Sequence, residues 1–305
     1  MALTNFPNGI SSMGMPVPLV NDGSSAFSTY YFVNTFNGAD GNKGTSATSA
    51  FQTMDRAFDV ILANNKSGAV IFVVGRITEN LTAPAGIFDV TIIGAGNAPR
   101  NADAHTSNNG YFAASWQASD QTLPLLTFQQ QGWRVQNILF DCPTSAAALR
   151  FPRNASSGDD ERDSSHTQVI GCRFGAGQNA IEITGTENVF DVQLIGNIFN
   201  DSTGVAITSA AGYAYRWVLQ NNVFLNNAGH INVAANQWSV VGNTFGKTTA
   251  AATYIDFTGG ADNSVWGNQL AGTYSNLGGY TAGTNDFWAG NFNVLSGGVT
   301  ASNPA

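Results

Sequence analysis

The stretch Leu194-Ile-Gly-Asn-Ile-Phe199 is one of seven copies of a short repeat. Aligned without gaps, the copies occupy residues 135–140, 169–174, 194–199, 219–224, 240–245, 265–270 and 288–293. Their starts lie 34, 25, 25, 21, 25 and 23 residues apart. A period of this length is typical of a solenoid, in which each repeat forms one coil and stacks on the next.

The columns of this alignment differ in a way that a stacked coil explains. The first column is always a large apolar residue, so it is predicted to point into the core. The third column holds only Gly or Asn, which adopt the left-handed backbone conformation at the lowest cost, so a sharp bend is predicted there. The last column is Phe in five copies and then Leu270 and Asn293, which predicts a stack of aromatic rings.

The fourth column predicts a buried, structural ladder of side-chain amides. It begins with Ile138 and Cys172 and continues with Asn197, Asn222, Asn243, Asn268 and Asn291. An asparagine amide both donates and accepts hydrogen bonds, so stacked copies can bond along the column. We expect the interior Asn222 to stabilise the fold more than the terminal Asn291 does.

A second strand is predicted after each bend. Its copies are Leu149-Arg150-Phe151, Ile181-Glu182-Ile183, Val205-Ala206-Ile207, Ile231-Asn232-Val233 and Ile255-Asp256-Phe257. In each copy, apolar residues flank a central residue that is expected to point outward. Parallel strands that are connected in this way should coil with a right-handed sense.

The N-terminal end of the stack is predicted to carry a lid. Thr53 can cap a helix in which five apolar residues share one face, namely Met54, Ala57, Phe58, Ile61 and Leu62. The predicted fold is therefore all-β: a single-stranded, right-handed parallel β-helix, or solenoid, with a short N-terminal capping helix. Its parts are an extended arm at 1–28, the β-helix at 29–295 and a flexible C-terminal tail at 296–305. A partner chain or folded-back loops are expected to cover the C-terminal end.

Composition and charge exclude several classes of protein. Charged residues are only 10% of the 305 residues, too few for solvated helices, and 43% hydrophobic residues argue against disorder. The net charge of −8 leaves no basic stripe for nucleic acid and gives no reason to bind an anionic membrane. The sequence shows no secretory pattern and no apolar run of 18 residues. Cys142 and Cys172 are expected to be free, buried thiols of a protein made in a reducing cytoplasm.

Several N-terminal segments resemble the cap of the pectate-lyase-like superfamily of right-handed β-helices. They are Tyr30-Tyr-Phe-Val-Asn34, the loop at 37–45, Ala50-Phe-Gln-Thr53 and Thr91-Ile-Ile-Gly-Ala-Gly96. The resemblance covers about residues 28–295 and implies the β-helix fold. It leaves the activity open, because the superfamily contains lyases, hydrolases and non-catalytic virion proteins.

Residues 1–16 resemble the N-terminus of bacteriophage structural proteins, and a β-helix of this size resembles tailspike-like head-decoration proteins. This resemblance implies a homotrimer on the capsid surface of a virion, made in the bacterial host cytoplasm and bound to the major capsid protein or another virion protein. The first 28 residues show no strand or helix period. Their apolar residues Leu3, Phe6, Ile10 and Met13 are predicted to anchor the arm on the capsid.

The outward row of the second strand tests for an active site. Glu182 and Asp256 are predicted to lie three coils apart, or roughly 14 Å at the spacing of stacked strands. Paired glycosidase carboxylates lie about 5–9.5 Å apart, so this pair fails. Glu182 is expected to pair with Arg150, while Ala206 and Asn232 interrupt any acidic cluster. We therefore predict a non-enzymatic protein without a metal or cofactor.

The alternative is a tailspike-type or pectate-lyase-like polysaccharide depolymerase, a lyase or glycoside hydrolase whose site is completed across subunits. Carbohydrate thus stays open as a partner. The acidic run at 159–163 is expected to be a solvated loop, with a cation or sugar site as its alternative, and 40–44 a glycine turn. His105, His166 and His230 are expected in loops or on the surface. Trp133, Trp217 and Trp238 are expected in the core, and Trp266 and Phe287 outside it.

The second column of the repeat predicts a subunit interface. It reads Ile170, Ile195, Val241, Trp266 and Ala289, broken by Gln136 and Gln220. Because the first column fills the core, alternation should turn the second column outward. An apolar row of this length calls for a partner, so Ile195, Val241 and Trp266 are predicted to meet a neighbouring subunit. The alternative is a bend that turns both columns inward.

Overall fold

Three long parallel sheets wrap around one core in the computed structural model of the chain. The structure describes residues 10–12, 15–17, 29–95, 114–154, 162–209, 214–246, 253–271, 279–293 and 299–300. Each coil passes through sheet 1, sheet 2 and sheet 3 in turn, and successive coils pair in parallel, as Val169 does with Leu194. The predicted all-β, right-handed parallel β-helix is confirmed.

Sheet 1 holds the first half of each repeat copy. Its ten described strands are Tyr30–Asn34, Val70–Val74, Thr91–Gly94, Arg134–Gln136, Gln168–Ile170, Gln193–Ile195, Val218–Gln220, Ser239–Val241, Ser264–Trp266 and Phe287–Ala289. From Arg134–Gln136 onward the middle residue of each strand is buried and the two flanking residues face outward. The alternation follows from the two-residue period of a strand.

Sheet 2 holds the second half of each copy. Its described strands are Arg76–Thr78, Ser115–Gln117, Leu139–Asp141, Arg173–Phe174, Ile198–Asn200, Val223–Leu225, Thr244–Phe245, Gln269–Leu270 and Asn291–Asn293, followed by the antiparallel Val299–Thr300. The predicted phenylalanine stack runs behind this sheet. Its ring centroids lie 4.6–5.0 Å apart from Phe140 to Phe245.

Sheet 3 completes the coil. Its described strands are Leu81–Thr82, Leu126–Thr127, Ala147–Asn154, Asn179–Gly185, Val205–Ser209, Gly229–Asn232, Ile255–Asp256 and Tyr280–Thr281, with Arg162–Asp163 antiparallel to Ala147–Asn154. A small corner sheet between sheets 3 and 1 contains Val189–Phe190, Ala214–Tyr215 and Ala235–Asn236. A separate antiparallel pair joins Ile10–Ser12 to Met15–Val17.

The prediction that Ala206 points outward is wrong. Glu182 pairs with Thr208, and Thr208 pairs with Asn232, so Thr208 holds the outward position of that coil. Ala206 is fully buried. The register is set in the core, where Ile207 stacks between the corresponding isoleucines of the neighbouring coils.

The predicted lid is the helix Met54–Ala63, which begins where Thr53 Oγ1 accepts a hydrogen bond from the Arg56 backbone N–H. Met54, Ala57, Phe58 and Ile61 are buried at the expected spacing of three and four residues. Leu62 was predicted to share that face, and this is wrong: its side chain is 50% exposed. It lies at the margin of the buried stripe, in the last turn of the helix. A short 3-10 helix, Ala47–Ser49, precedes the lid.

Two carboxylates from outside the helix bind the N–H groups at its start. Asp40 accepts from the backbone of residues 52 and 53 at 2.9 and 3.0 Å. Glu79 accepts from the backbone of residues 54 and 55 at 3.2 and 2.9 Å, and burial raises the pKa of this carboxyl. The loop at 40–44 therefore holds the lid in place, with Asp40 in a structural role.

The remaining sequence predictions divide between the core and the ends of the chain. Both cysteines are buried free thiols, and burial raises the pKa of Cys172 to about 12. Within the described ranges, no helix is long and apolar enough to cross a bilayer. Leu3, Phe6 and Met13 lie outside the described residues, as does most of the tail at 296–305; Ile10 is described by its backbone alone.

Candidate functional site

The corner between sheets 1 and 2 turns through one left-handed residue in each repeat copy. These residues have φ between 55° and 66° and are Asn137, Gly171, Gly196, Asn221, Gly242, Gly267 and Gly290. The bend turns the following side chain toward the interior, and each side chain of the fourth column is buried. The Gly or Asn column thus positions the asparagines behind it.

The five asparagines form one continuous chain of hydrogen bonds. The amide nitrogen of each donates to the amide oxygen of the next over 2.9–3.0 Å, in the order Asn197, Asn222, Asn243, Asn268 and Asn291. The same oxygens accept from the backbone N–H of the preceding asparagine at 2.8–3.0 Å. Each amide nitrogen also donates to a carbonyl of the coil before it. These buried polar groups bond to one another, which favours a structural role over ligand binding.

A second polar corner, between sheets 2 and 3, was missed by the sequence analysis. Asn227 accepts from the Ser202 backbone N–H at 3.0 Å and donates to Nδ1 of His230 at 3.1 Å. Nε2 of His230 lies 2.8 Å from the Gly246 carbonyl, so it carries the proton. The expectation of a loop or surface position for His230 is wrong, because the ring is fully buried. Burial lowers the pKa of His230 to about 4.

A third polar corner lies between sheets 3 and 1. Asp286 Oδ1 accepts from the backbone and the amide nitrogen of Asn263 at 2.9 and 2.8 Å, and Asn263 accepts from the Trp238 backbone N–H. Left-handed residues recur here too, with φ of 56–60° at His166, Asp191, Arg216, Gln237 and Asp262. Their types gave no sequence signal, since they are neither Gly nor Asn.

Charges pair along the exposed edge of this third corner. Arg216 donates to both oxygens of Asp191 at 2.8 Å, which lowers the pKa of that carboxyl. His166 is exposed as expected, with Nδ1 3.5 Å from Asp191. His105 lies outside the described residues.

The outward row of sheet 3 carries the acidic residues that were considered for catalysis. Glu182 accepts from Nε of Arg150 at 2.8 Å, as expected. Thr208 and Asn232 lie between Glu182 and Asp256 in the register, so these two carboxylates are three coils, or roughly 14 Å, apart. Among the described residues, no group of three or more His, Cys, Asp or Glu is arranged to hold a metal ion.

A cleft of about 560 Å³ opens over sheet 3 beside this ion pair. The residues that line it are Asn80, Leu81, Thr82, Leu123, Pro124, Thr127, Gln129, Arg150, Pro152, Asn154, Arg162, Thr184 and Gly185. Two strands, Ala147–Asn154 and Asn179–Gly185, are the longest of the sheet and contribute to its lining. At Gly185, φ is 109° and an added Cβ would lie 1.9 Å from the Arg153 carbonyl oxygen, so this close approach requires glycine.

The strand Arg162–Asp163 is held firmly beside the cleft. Asp163 accepts from Gln131 at 2.6 Å and from the Ser165 backbone N–H at 2.9 Å, and lies 3.5 Å from Nε of Arg153. Asp163 therefore belongs to an ion-paired strand and not to a solvated loop as expected. The rest of the acidic run, 159–161, lies outside the described residues.

The outer face of sheet 1 carries the second column of the repeat. Ile170, Ile195, Val241 and Ala289 are half-buried there, and Trp266 is 50% exposed. Phe287, on the last described strand of the sheet, is 60% exposed. The structure thus places this column on the outside and not in the core. Trp133, Trp217 and Trp238 are buried, as predicted.

Stacked coils of three parallel sheets, with asparagine and phenylalanine columns inside, define a right-handed parallel β-helix protein. The chain has the β-helix fold of the pectate-lyase-like superfamily, as predicted. No protein-family model and no curated protein matches it.

Solved structures place the fold. A crystal structure of Escherichia coli YbhC is similar to 99% of this chain and 83% of its own, with 14% identity and a TM-score of 0.51. Geobacillus virus E2 ORF18 has 11% identity over 84% of this chain and 58% of its own, with a TM-score of 0.39. Pectin methylesterase PemA from Erwinia chrysanthemi has 13% identity over 91% and 86%, with a TM-score of 0.37. At these identities, the similarity to YbhC establishes the fold alone.

Proposed function

We propose that this chain is a non-enzymatic structural protein of a bacteriophage virion: a trimeric capsid decoration protein attached through its N-terminal arm. The observation that carries the proposal is the apolar outer column of sheet 1. Ile170, Ile195, Val241 and Trp266 occupy equivalent outward positions on their coils, where a polar side chain would satisfy the fold equally well. An apolar row of this length is more than a monomer usually leaves uncovered, so it favours contact with another chain.

A closed ring of three copies accounts for this surface with one contact repeated three times. Cyclic closure covers the flank of every copy and leaves no free apolar face for unlimited association. The resemblance of residues 1–16 to phage structural proteins supports the virion as the site of assembly. The apolar residues Leu3, Phe6, Ile10 and Met13 are the proposed contacts of the arm with the major capsid protein or another virion protein.

The chemistry of sheet 3 favours a structural role over a depolymerase. Arg150 binds Glu182, and Asp256 lies beyond the separation at which paired carboxylates cleave a glycosidic bond. The cleft is the observation in favour of the second candidate. No carboxylate is among the described residues that line it, so a cleaving site there would need an acid from a neighbouring copy.

The test is attachment to the capsid of the phage that encodes the chain. The full chain and a variant lacking residues 2–20 are incubated with capsids that lack the protein, and co-sedimentation and cryo-EM density are measured. We expect the full chain to occupy three-fold positions on the capsid and the shortened chain to stay in solution with an unchanged melting temperature. Normal decoration by the shortened chain, or density at the tail together with release of sugar reducing ends, would overturn the proposal.

A further inference from the structure

The cleft over sheet 3 contains a guanidinium group with nothing to neutralise it. Arg162 lines the cleft, and its side chain makes no hydrogen bond or ion pair with any residue that the structure describes. Its strand is anchored through Asp163, so the backbone that carries this cation is fixed. Arg150 lines the same cleft and uses its Nε for Glu182. Two cations thus border one concave surface of a chain whose net charge is −8.

Other arginines of the chain are treated differently. Nε of Arg134 donates to Gln168 at 2.8 Å, and Arg216 forms a two-point contact with Asp191. Arg153 contacts Asp163 and lies 4.7 Å from the centre of the Phe190 ring. A guanidinium that is placed in a cleft without such a partner is suited to bind a carboxylate, sulfate or phosphate through two parallel hydrogen bonds.

The rest of the cleft is suited to a hydroxyl-rich molecule. Hydroxyl groups of Thr82, Thr127 and Thr184 and the amides of Gln129 and Asn154 line it. These groups both donate and accept hydrogen bonds, as sugar hydroxyls do. The volume of about 560 Å³ is within the range of small-molecule sites and has room for a short oligosaccharide.

One wall of the cleft is preformed. Asn80 donates to the carbonyls of Asp120, Leu123 and Pro124 at 2.9–3.0 Å and accepts from the backbone N–H of Asp120 at 2.7 Å. These bonds fix the loop that presents Leu123, which is 49% exposed. A fixed apolar side chain beside polar groups can contact the C–H face of a sugar ring without an ordering cost.

We propose that this cleft binds an acidic oligosaccharide without cleaving it, with the anionic group of the ligand held between Arg162 and Arg150. An acidic peptide fits less well, because the cleft lies over the face of sheet 3. The backbone groups of that sheet are paired with neighbouring coils, so an extended peptide finds no main-chain partners there. The proposal does not depend on the oligomeric state or on the virion.

The test is calorimetric titration of the full chain with tetrasaccharides of matched length. The probes are hyaluronan tetrasaccharide for the carboxylate, sulfated and phosphorylated maltotetraose for the other two anions, and maltotetraose as the neutral control. Tetraglutamate is the peptide probe. We expect at least one acidic sugar to bind about tenfold more tightly than maltotetraose, since a charged hydrogen bond contributes that much. Its affinity should fall as salt is added.

Variants locate the binding. Arg162→Ala should lower the affinity for the acidic sugar about tenfold, and Arg162→Lys should lower it less, because a lysine keeps the charge but loses the planar fork. Arg216→Ala is the matched control: it is exposed, ion-paired and outside the cleft, and it should leave the affinity unchanged. Melting temperatures check that Arg162→Ala is folded, as expected for a side chain without partners in the described structure.

Three results would overturn the proposal. The acidic sugars could bind no more tightly than maltotetraose, the Arg162→Ala and Arg216→Ala variants could bind alike, or tetraglutamate could bind best. Release of reducing ends from a bound probe would contradict the non-cleaving part.

Discussion

The outer faces of sheets 1 and 3 belong to the same coils and differ in character. Sheet 1 presents Ile170, Ile195, Val241 and Trp266, and sheet 3 presents Arg150, Glu182, Thr208, Asn232 and Asp256. Both faces cover buried apolar columns, so the demands of folding are alike on the two sides. The apolar face of sheet 1 is therefore not a requirement of the coil. It points to a protein partner, whereas the face of sheet 3 suits water and a polar ligand.

Beneath these faces, the interior is held at its corners. The asparagine ladder holds the corner where sheet 1 ends, and the Asn227–His230 pair holds the corner where sheet 3 begins. Changes at the two corners should lower stability and leave the character of both outer faces intact. Interior and surface can thus be perturbed separately.

The largest stability loss is expected for Asn222→Ala. This change removes the oxygen that accepts from both the backbone and the amide nitrogen of Asn197, and it leaves two buried donors unpaired. We expect the free energy of unfolding to fall by about 3 kcal/mol, measured by urea denaturation. A variant as stable as the parent would show that the ladder contributes nothing.

The direction of donation gives the matched control for the ladder. Asn291→Ala also leaves two donors unpaired, those of Asn268, so it should cost about as much as Asn222→Ala, contrary to the expectation from its terminal position. Asn197→Ala leaves one donor unpaired, the Cys172 backbone N–H, and should cost about 1–2 kcal/mol.

Acid should weaken the corner that His230 holds. The pKa of its ring is lowered from 6.5 to about 4 in the folded chain, so below pH 6.5 the unfolded chain binds a proton that the folded chain does not. Stability is complete above about pH 6.5 and falls, by roughly 2–3 kcal/mol, as the pH drops toward 4. Urea denaturation across this range should show a smaller slope for His230→Gln, while His166→Gln, at an exposed position, keeps the parent slope.

The smallest effect is expected at the surface of sheet 3. Glu182→Gln removes an ion pair whose side chains are 35% and 24% exposed. Such a pair contributes about 0.5 kcal/mol, and added salt should reduce that further. A loss above about 2 kcal/mol in the urea-derived stability would mean that this face is part of the framework and would remove the contrast with sheet 1.

Sequence reasoning predicted the parts of the fold that repeat. The columns of Gly or Asn, asparagine and phenylalanine each have one physical requirement that recurs in every coil. The outward position in Val205–Ser209 was missed because both Ala206 and Thr208 satisfy the two-residue alternation, and only pairing with Ile181 and Ile231 decides between them.

The candidate sites were harder to predict, because they arise where the repeat is broken. The cleft depends on two long strands, Ala147–Asn154 and Asn179–Gly185, and on the antiparallel return of Arg162–Asp163. Neither strand length nor that return follows from the period. The left-handed residues of the third corner, such as Asp191 and Arg216, were missed because tertiary contacts hold them in a conformation that their types seldom adopt.

The most direct test of the central claim is the sedimentation mass of the full chain and of Trp266→Glu. Three chains of 32.0 kDa give about 96 kDa for the parent. The account predicts that the parent sediments as this trimer and that Trp266→Glu sediments at 32.0 kDa with unchanged β-sheet circular dichroism, since a charge cannot be buried unpaired in the interface. Thr208→Glu, on the outer face of sheet 3, should remain a trimer. A monomeric parent, or a Trp266→Glu variant that keeps the trimer mass, would contradict the claim that this flank joins the subunits.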